Sequence, residues 1–224
     1  MHLSKDKKIL IYLFLLIFLG SINNTNFANT QIFEIKNLNL YGLNEKEKSN
    51  LLEELEQIKN QNIFSLPNKK LVEILSSDHS IESFYIQKNY PSNLDIFVKK
   101  TSFLANIIIN DENFLIGTNK KLIKSQSIYS NLPTVQGNPT IKEFFSIKND
   151  ILKSSVSFEE IEKLHFFPSK RWDLKLNNGV LVKLPFSNTL EALDNFFEIK
   201  DLPQFEKVKI FDMRIKGQII INEF

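Results

Sequence analysis

An α+β chain with an apolar N-terminal helix, a small β-α-α-β-β module and a larger strand-rich domain is what the sequence predicts, on three observations. An unbroken apolar run from Ile9 to Leu19 stands near the start, behind Lys5, Lys7 and Lys8. From residue 31 to about residue 100, a two-residue period gives way to two helical spacings and then returns. Beyond residue 100 the two-residue period dominates, with two helical interruptions.

The N-terminal segment comes first. Positive charge ahead of an apolar run holds the N-terminus in the cytoplasm and sends the rest across. Gly20, Ser21 and Ile22 follow the run, and Asn23, Asn24, Thr25 and Asn26 are uncharged, so a helix can continue to Phe27 and Ala28. A spanning helix needs about 20 mostly apolar residues, and a cleavable signal has an apolar stretch of roughly 7–15. From the residues alone, retention and cleavage near Ala28 both remain open, and export is the firm expectation.

In the next module Ile32, Glu34 and Lys36 alternate with Phe33, Ile35 and Asn37, as in a strand. Asn44 followed by Glu47 predicts a capping box, opening a helix that places Leu51, Leu52, Leu55 and Ile58 on one face. Asn60 and Asn62 break it, and Pro67 opens a second helix with Leu71, Ile74 and Leu75 inward. Two strands follow around the turn Tyr90-Pro91-Ser92-Asn93, with Phe84 and Ile86 on one and Leu94, Ile96 and Val98 on the other.

In the larger domain, Phe103–Ile109 and Phe114–Ile116 read as strands around residues 110–113. Ile141–Leu152 and Thr189–Ile199 have helical spacing. Asn177-Asn178-Gly179, between Trp172–Leu176 and Val180–Leu184, is the strongest hairpin signal in the chain. A closing pair of strands is expected over Lys207–Phe211 and Gln218–Ile221, its last member at a sheet edge.

Composition removes several functional classes. The 28 basic and 26 acidic residues are well mixed, for a net charge of +2, without the clustered basic face of a nucleic-acid binder. Cys is absent, which excludes a disulfide framework, a thiolate metal site and a cysteine nucleophile. His2, His79 and His165 are scattered and read as surface or packed residues. Ser76-Ser77-Asp78-His79 holds triad residue types, but adjacency in sequence is not triad geometry. Glu159, Glu160 and Glu162 read as a solvated face, and no Gly-rich phosphate loop occurs. The expectation is a non-enzyme with no metal, cofactor or small-molecule substrate.

Five motifs in register carry a resemblance to the FtsQ/DivIB family of bacterial cell-division proteins. Gln61–Leu66 is similar to the linker of the family's POTRA domain, and Tyr90–Val98 to its hairpin "YPntLxIxV". Leu132–Gly137 resembles "LPxLxG", Arg171–Pro185 resembles "RWDLxLxNGxxxxLP", and Phe211–Arg214 resembles the terminal "xDLR". Lys100-Thr101-Ser102-Phe103 departs from the family, which has an acidic residue and a proline just after the hairpin strand.

The resemblance implies a cytoplasmic tail (residues 1–8), an uncleaved transmembrane signal-anchor (9–28), a POTRA-like domain (29–100) and a β-domain (101–224). It implies a single-pass inner-membrane protein with its bulk in the periplasm at the division septum, acting as a divisome scaffold. It also implies a partner, an FtsB/FtsL-type coiled-coil pair recruited by strand addition. Carried over by motif, the contact residues are Arg171, Arg214, Ile215 and Gly217. Arg171 and Arg214 each have an acidic neighbour, Asp173 and Asp212, as an internal partner, and Trp172 reads as core. The alternative class is a POTRA-containing export or outer-membrane assembly component. Such chains usually carry tandem copies and a C-terminal barrel, and neither pattern is present.

Overall fold

The structure, a computed structural model, describes residues 5–22 and 33–223. The chain divides into two compact units, Met1–Lys100 and Thr101–Phe224. The expected helical extension through Asn23–Ala28, the cleavage position, the first strand residues Gln31 and Ile32, and His2 lie outside the described residues.

Helix α1 (Lys5–Ile22) has 18 residues, and it corrects the expectation of a transmembrane helix. Among the described residues no helix is long and apolar enough to cross a membrane. Lys5, Asp6, Lys7 and Lys8 occupy its first turn. That leaves Ile9–Ile22, about 14 residues and ~21 Å of helical rise, against a hydrocarbon core of about 30 Å. The apolar run is real, and its described length falls short of a span.

The first unit continues with β1 (Asn37–Tyr41), α2 (Glu45–Leu55), α3 (Asn68–Ser77), β2 (Ile81–Asn89) and β3 (Asn93–Lys100). Asn44 caps α2 in a reciprocal box. Its side chain accepts from the Glu47 backbone N–H at 2.9 Å, and the Glu47 carboxylate accepts from the Asn44 N–H at 3.1 Å. The sheet order is β1-β3-β2, with β1 parallel and β2 antiparallel to β3. Leu51, Leu55, Leu71 and Leu75 from the helices pack with Leu94, Ile96 and Val98 from β3, all buried. The other sheet face is open.

Strand β1 starts later than the alternation from Ile32 suggests. Ile35 is fully buried, but its backbone bonds to Asn60 and Gln61 in the loop after α2, not to β3. Alternation sets which side chains face inward; the neighbouring backbone decides where the ladder begins.

The second unit contains β4 (Phe103–Ile109), β5 (Glu112–Gly117), β6 (Leu122–Lys124), β7 (Thr134–Gln136), α4 (Ile141–Lys153), β8 (Ile161–Phe166), β9 (Trp172–Leu176), β10 (Leu181–Lys183), α5 (Thr189–Ile199), β11 (Val208–Asp212) and β12 (Ile220–Glu223). Its strands form one nine-stranded sheet in the order β12-β11-β10-β9-β8-β7-β4-β5-β6. Parallel pairing joins β4 to β7, β7 to β8 and β10 to β11. Helices intervene in the last two cases, as parallel neighbours need a long crossover.

Phe144, Ile147 and Ile151 of α4 and Leu193 and Phe196 of α5 are buried with Leu164, Leu174, Val182 and Phe211 of the sheet. Phe196 meets Phe211 edge-to-face at 5.1 Å. Both helices therefore share one sheet face, and the residues alternating with this core row point the other way.

Candidate functional site

The outward face near the C-terminal sheet edge carries a short ladder of titratable residues. Register sets His165 opposite Asp173, Asp173 opposite Lys183, and Lys183 opposite Asp212. Two carboxylates thus flank one lysine across three adjacent strands. Arg171 and Arg214 lie two residues along the chain from Asp173 and Asp212, just outside β9 and β11.

Arg171 enters from the tight β8–β9 turn, in which Lys170 takes φ 60° and the Phe167 N–H donates to the Arg171 carbonyl at 3.0 Å. Its guanidinium lies over the Phe167 ring, 4.2 Å from the centroid. Arg171 Nε stands 3.8 Å from Asp173 Oδ1, too far for a hydrogen bond, and both atoms are buried without a hydrogen-bond partner in the structure. Burial pushes the Asp173 carboxyl above the usual range, with Arg171, Lys183, Arg214 and His165 opposing that shift. Trp172, next along, faces the core at 4.8 Å from Phe166.

Arg214 is held differently. Asp212 accepts from Arg214 Nε at 2.7 and 3.0 Å, from Nη2 at 2.5 Å, and from the Arg214 backbone N–H at 3.2 Å. The side-chain bonds from Arg214 hold the Asp212 carboxyl below its ordinary range, and the same pairing raises Arg214.

Beyond Arg214 the chain turns back through Ile215-Lys216-Gly217-Gln218, closed by the Gln218 N–H donating to the Ile215 carbonyl at 3.1 Å. Gly217 has φ +75° there, and a Cβ would meet nothing within 4 Å. A cleft of about 270 Å³ lies between this turn and the start of α5, lined by Glu191, Asn195, Met213, Arg214 and Ile219 among others. Strand β12 then pairs with β11 and forms the end of the sheet. Ile215, Ile219, Ile220 and Ile221 are all substantially exposed along this turn and strand.

The four residues expected at a partner contact therefore fall at two places along one sheet end. Arg214, Ile215 and Gly217 share the β11–β12 connection, and Arg171 sits at the β8–β9 turn. Lys183 and the run Ile219–Ile221 were not singled out from sequence. Two-residue spacing from Leu181 would have placed Lys183 on the outward face, but its position between Asp173 and Asp212 depends on register.

Of the histidines, His165 lies 3.4 Å from the Gln136 side-chain oxygen and 4.3 Å from the Phe167 ring centroid. Among the described residues no group of three His, Cys, Asp or Glu is placed to hold a metal.

The strand-rich second unit thus ends in an isoleucine-bearing strand beside two arginine–carboxylate pairs. Residues 107–214 match the family model "Cell division protein FtsQ/DivIB, C-terminal". The chain is also similar to the cell division protein FtsQ of Rickettsia bellii (strain RML369-C), 23% identical over 195 residues that cover 86% of this chain and 73% of that one. The major extracytoplasmic domain of DivIB from Geobacillus stearothermophilus, in its trans isomer, is a remote structural neighbour. It shows 14% identity and a TM-score of 0.33, covering 42% of this chain and 87% of that one. Both sequence matches point to the FtsQ/DivIB family of bacterial cell-division proteins, the family model over 108 of the chain's 224 residues.

Proposed function

We propose that this protein is a non-enzymatic scaffold of the division septum, with its bulk outside the cytoplasm. Its second unit recruits an FtsB/FtsL-type coiled-coil pair by strand addition along β12. The observation that carries the reading is the terminal strand, which among the described residues has no neighbouring strand on its outer side and whose isoleucines offer apolar contact. Arg214, prefixed by Asp212, and Ile215 flank the start of that strand, Gly217 sets the turn into it, and Arg171 presents a second cation from the β8–β9 turn. The first unit acts as the POTRA-like domain, serving septal recruitment and contact with other division proteins.

The test is a calorimetric titration of the full-length chain with the extracytoplasmic segment of the same organism's FtsB-like protein, repeated with Gly217→Pro. Proline fixes φ near −65°, against the +75° at this position, and distorts the approach to β12. Micromolar or tighter binding that the substitution abolishes, with circular dichroism unchanged, supports the reading. A folded wild-type chain that binds nothing overturns strand addition.

A further inference from the structure

A cleft of about 280 Å³ opens on the helix-bearing side of the second unit, with none of its walls drawn from β11 or β12. Glu143 and Asp150 of α4 line it from one helix face, two turns apart. Phe186, from the connection between β10 and α5, adds an aromatic wall. Phe166 and Trp172, both buried, form an apolar floor.

The two carboxylates differ in what already answers them. Glu143 closes the capping box of α4, its Oε2 accepting from the Thr140 N–H and from the Thr140 hydroxyl, each at 2.8 Å. Those bonds hold its carboxyl below the ordinary range, and the charge of Lys170, which also borders the cleft, acts in the same direction. Asp150 has no such support. Among the described residues nothing donates to its carboxylate or forms an ion pair with it, and Lys153 alone opposes the upward push of burial.

An aromatic face beside an unpaired carboxylate suits a guanidinium, which stacks on rings and forks onto carboxylates. The same unit shows the combination in use, with Arg171 lying 4.2 Å from the Phe167 ring centroid and 3.8 Å from Asp173. Phe186 and Asp150 repeat the ring and the carboxylate in one cleft, and Phe186 is 67% exposed, open to stacking. The chain's two arginines, Arg171 and Arg214, are engaged with Phe167 and Asp212, so a second copy does not supply the cation. We propose that this cleft docks an arginine side chain of a partner protein, its guanidinium stacked on Phe186 and forked onto Asp150.

The experiment follows the Trp172 indole N–H by NMR while the full-length chain in detergent micelles is titrated with acetyl-Gly-Leu-Arg-Leu-Gly-amide. Trp172 is the chain's one tryptophan and lies in the floor, so its resonance reports on the cleft. A saturable shift with a Kd on the order of 1 mM is expected. Asp150→Asn and Phe186→Ala should each weaken binding roughly tenfold, as should citrulline in place of the arginine, which keeps the plane and loses the charge. Leu152→Ala, exposed on the same helix, leaves binding unchanged. Should Phe186→Ala lose its circular dichroism, the near-isosteric Asp150→Asn decides. No shift at about 10 mM peptide, or binding that survives both substitutions, overturns the proposal. So does equal binding of the citrulline peptide, or of one with lysine in place of arginine, since neither combines the charge with the plane. None of these variants touches β12, so the result is independent of strand addition there.

Discussion

The Asp212 carboxylate takes the Arg214 guanidinium in a fork, with side-chain bonds of 2.5–3.0 Å. Two residues apart at the end of β11, they fix the chain's direction as it leaves the strand for the β11–β12 turn.

This pairing predicts an acid-labile contribution to stability. The Asp212 carboxyl is lowered in the folded chain, so its contribution is present above the unfolded value near 3.8 and is lost as pH falls through the lower folded value. Arg214 is partly exposed, which keeps the magnitude small. Asp212→Asn should cost on the order of 1 kcal/mol at pH 7 and nothing at the acid end. Urea unfolding followed at Trp172, the chain's one tryptophan, reads this in the second unit. A deficit that does not shrink with acid would disprove the assignment.

Asp173 should behave in the opposite sense. Its carboxyl is raised, chiefly by burial, so its contribution is complete below the unfolded value near 3.8 and is lost as pH rises through the higher folded value. Asp173→Asn removes that penalty while keeping the shape, and Arg171 keeps its stack on Phe167. The variant should match or exceed the wild type at pH 7, with its advantage fading toward acid. A loss greater than about 1 kcal/mol at pH 7 would mean that Arg171 depends on the carboxylate.

The contrast between these two pairs marks what the sequence makes legible. Local signals carry far: the Asn44–Glu47 box opens α2, Asn177-Asn178-Gly179 joins β9 to β10, and α5 spans Thr189–Ile199 as its spacing implies. Both acidic neighbours of the arginines could be named, because they lie two residues away. That Asp212 would grip its arginine while Asp173 stands off could not be read, because side-chain packing decides it. Nor could the Asp173–Lys183–Asp212 ladder, since it needs the parallel pairing of β10 with β11 across α5. Short strands such as β7 carry too few residues to show a period. The N-terminal apolar run was legible as apolar, and among the described residues its charged first turn leaves α1 without a long enough apolar stretch.

Gly42 should be intolerant of any side chain. It has φ +88°, and a Cβ would stand 1.9 Å from the Val98 carbonyl oxygen on β3, a backbone atom that cannot swing aside. Gly42→Ala should cost about 3 kcal/mol or more through strain and displacement of β1 from β3. Hydrogen exchange of the β3 amides is the measurement. Protection equal to the wild type would show that the strand end relaxes freely.

The exposed edge offers the last prediction. Ile220 is 53% exposed and aligns with Asp212, on the outward row of β12. A charge on an edge strand discourages a further strand from adding, at little cost to the folded chain. Ile220→Lys should therefore weaken capture of an FtsB-like segment by at least about tenfold. Stability read at Trp172 should move by no more than about 0.5 kcal/mol, as for other surface substitutions. If capture persists while Arg214→Ala removes it, the partner is held at the cleft beside α5 and not along β12. If stability falls instead, the Ile220 side chain supports β12 itself, and the exposed isoleucines are structural.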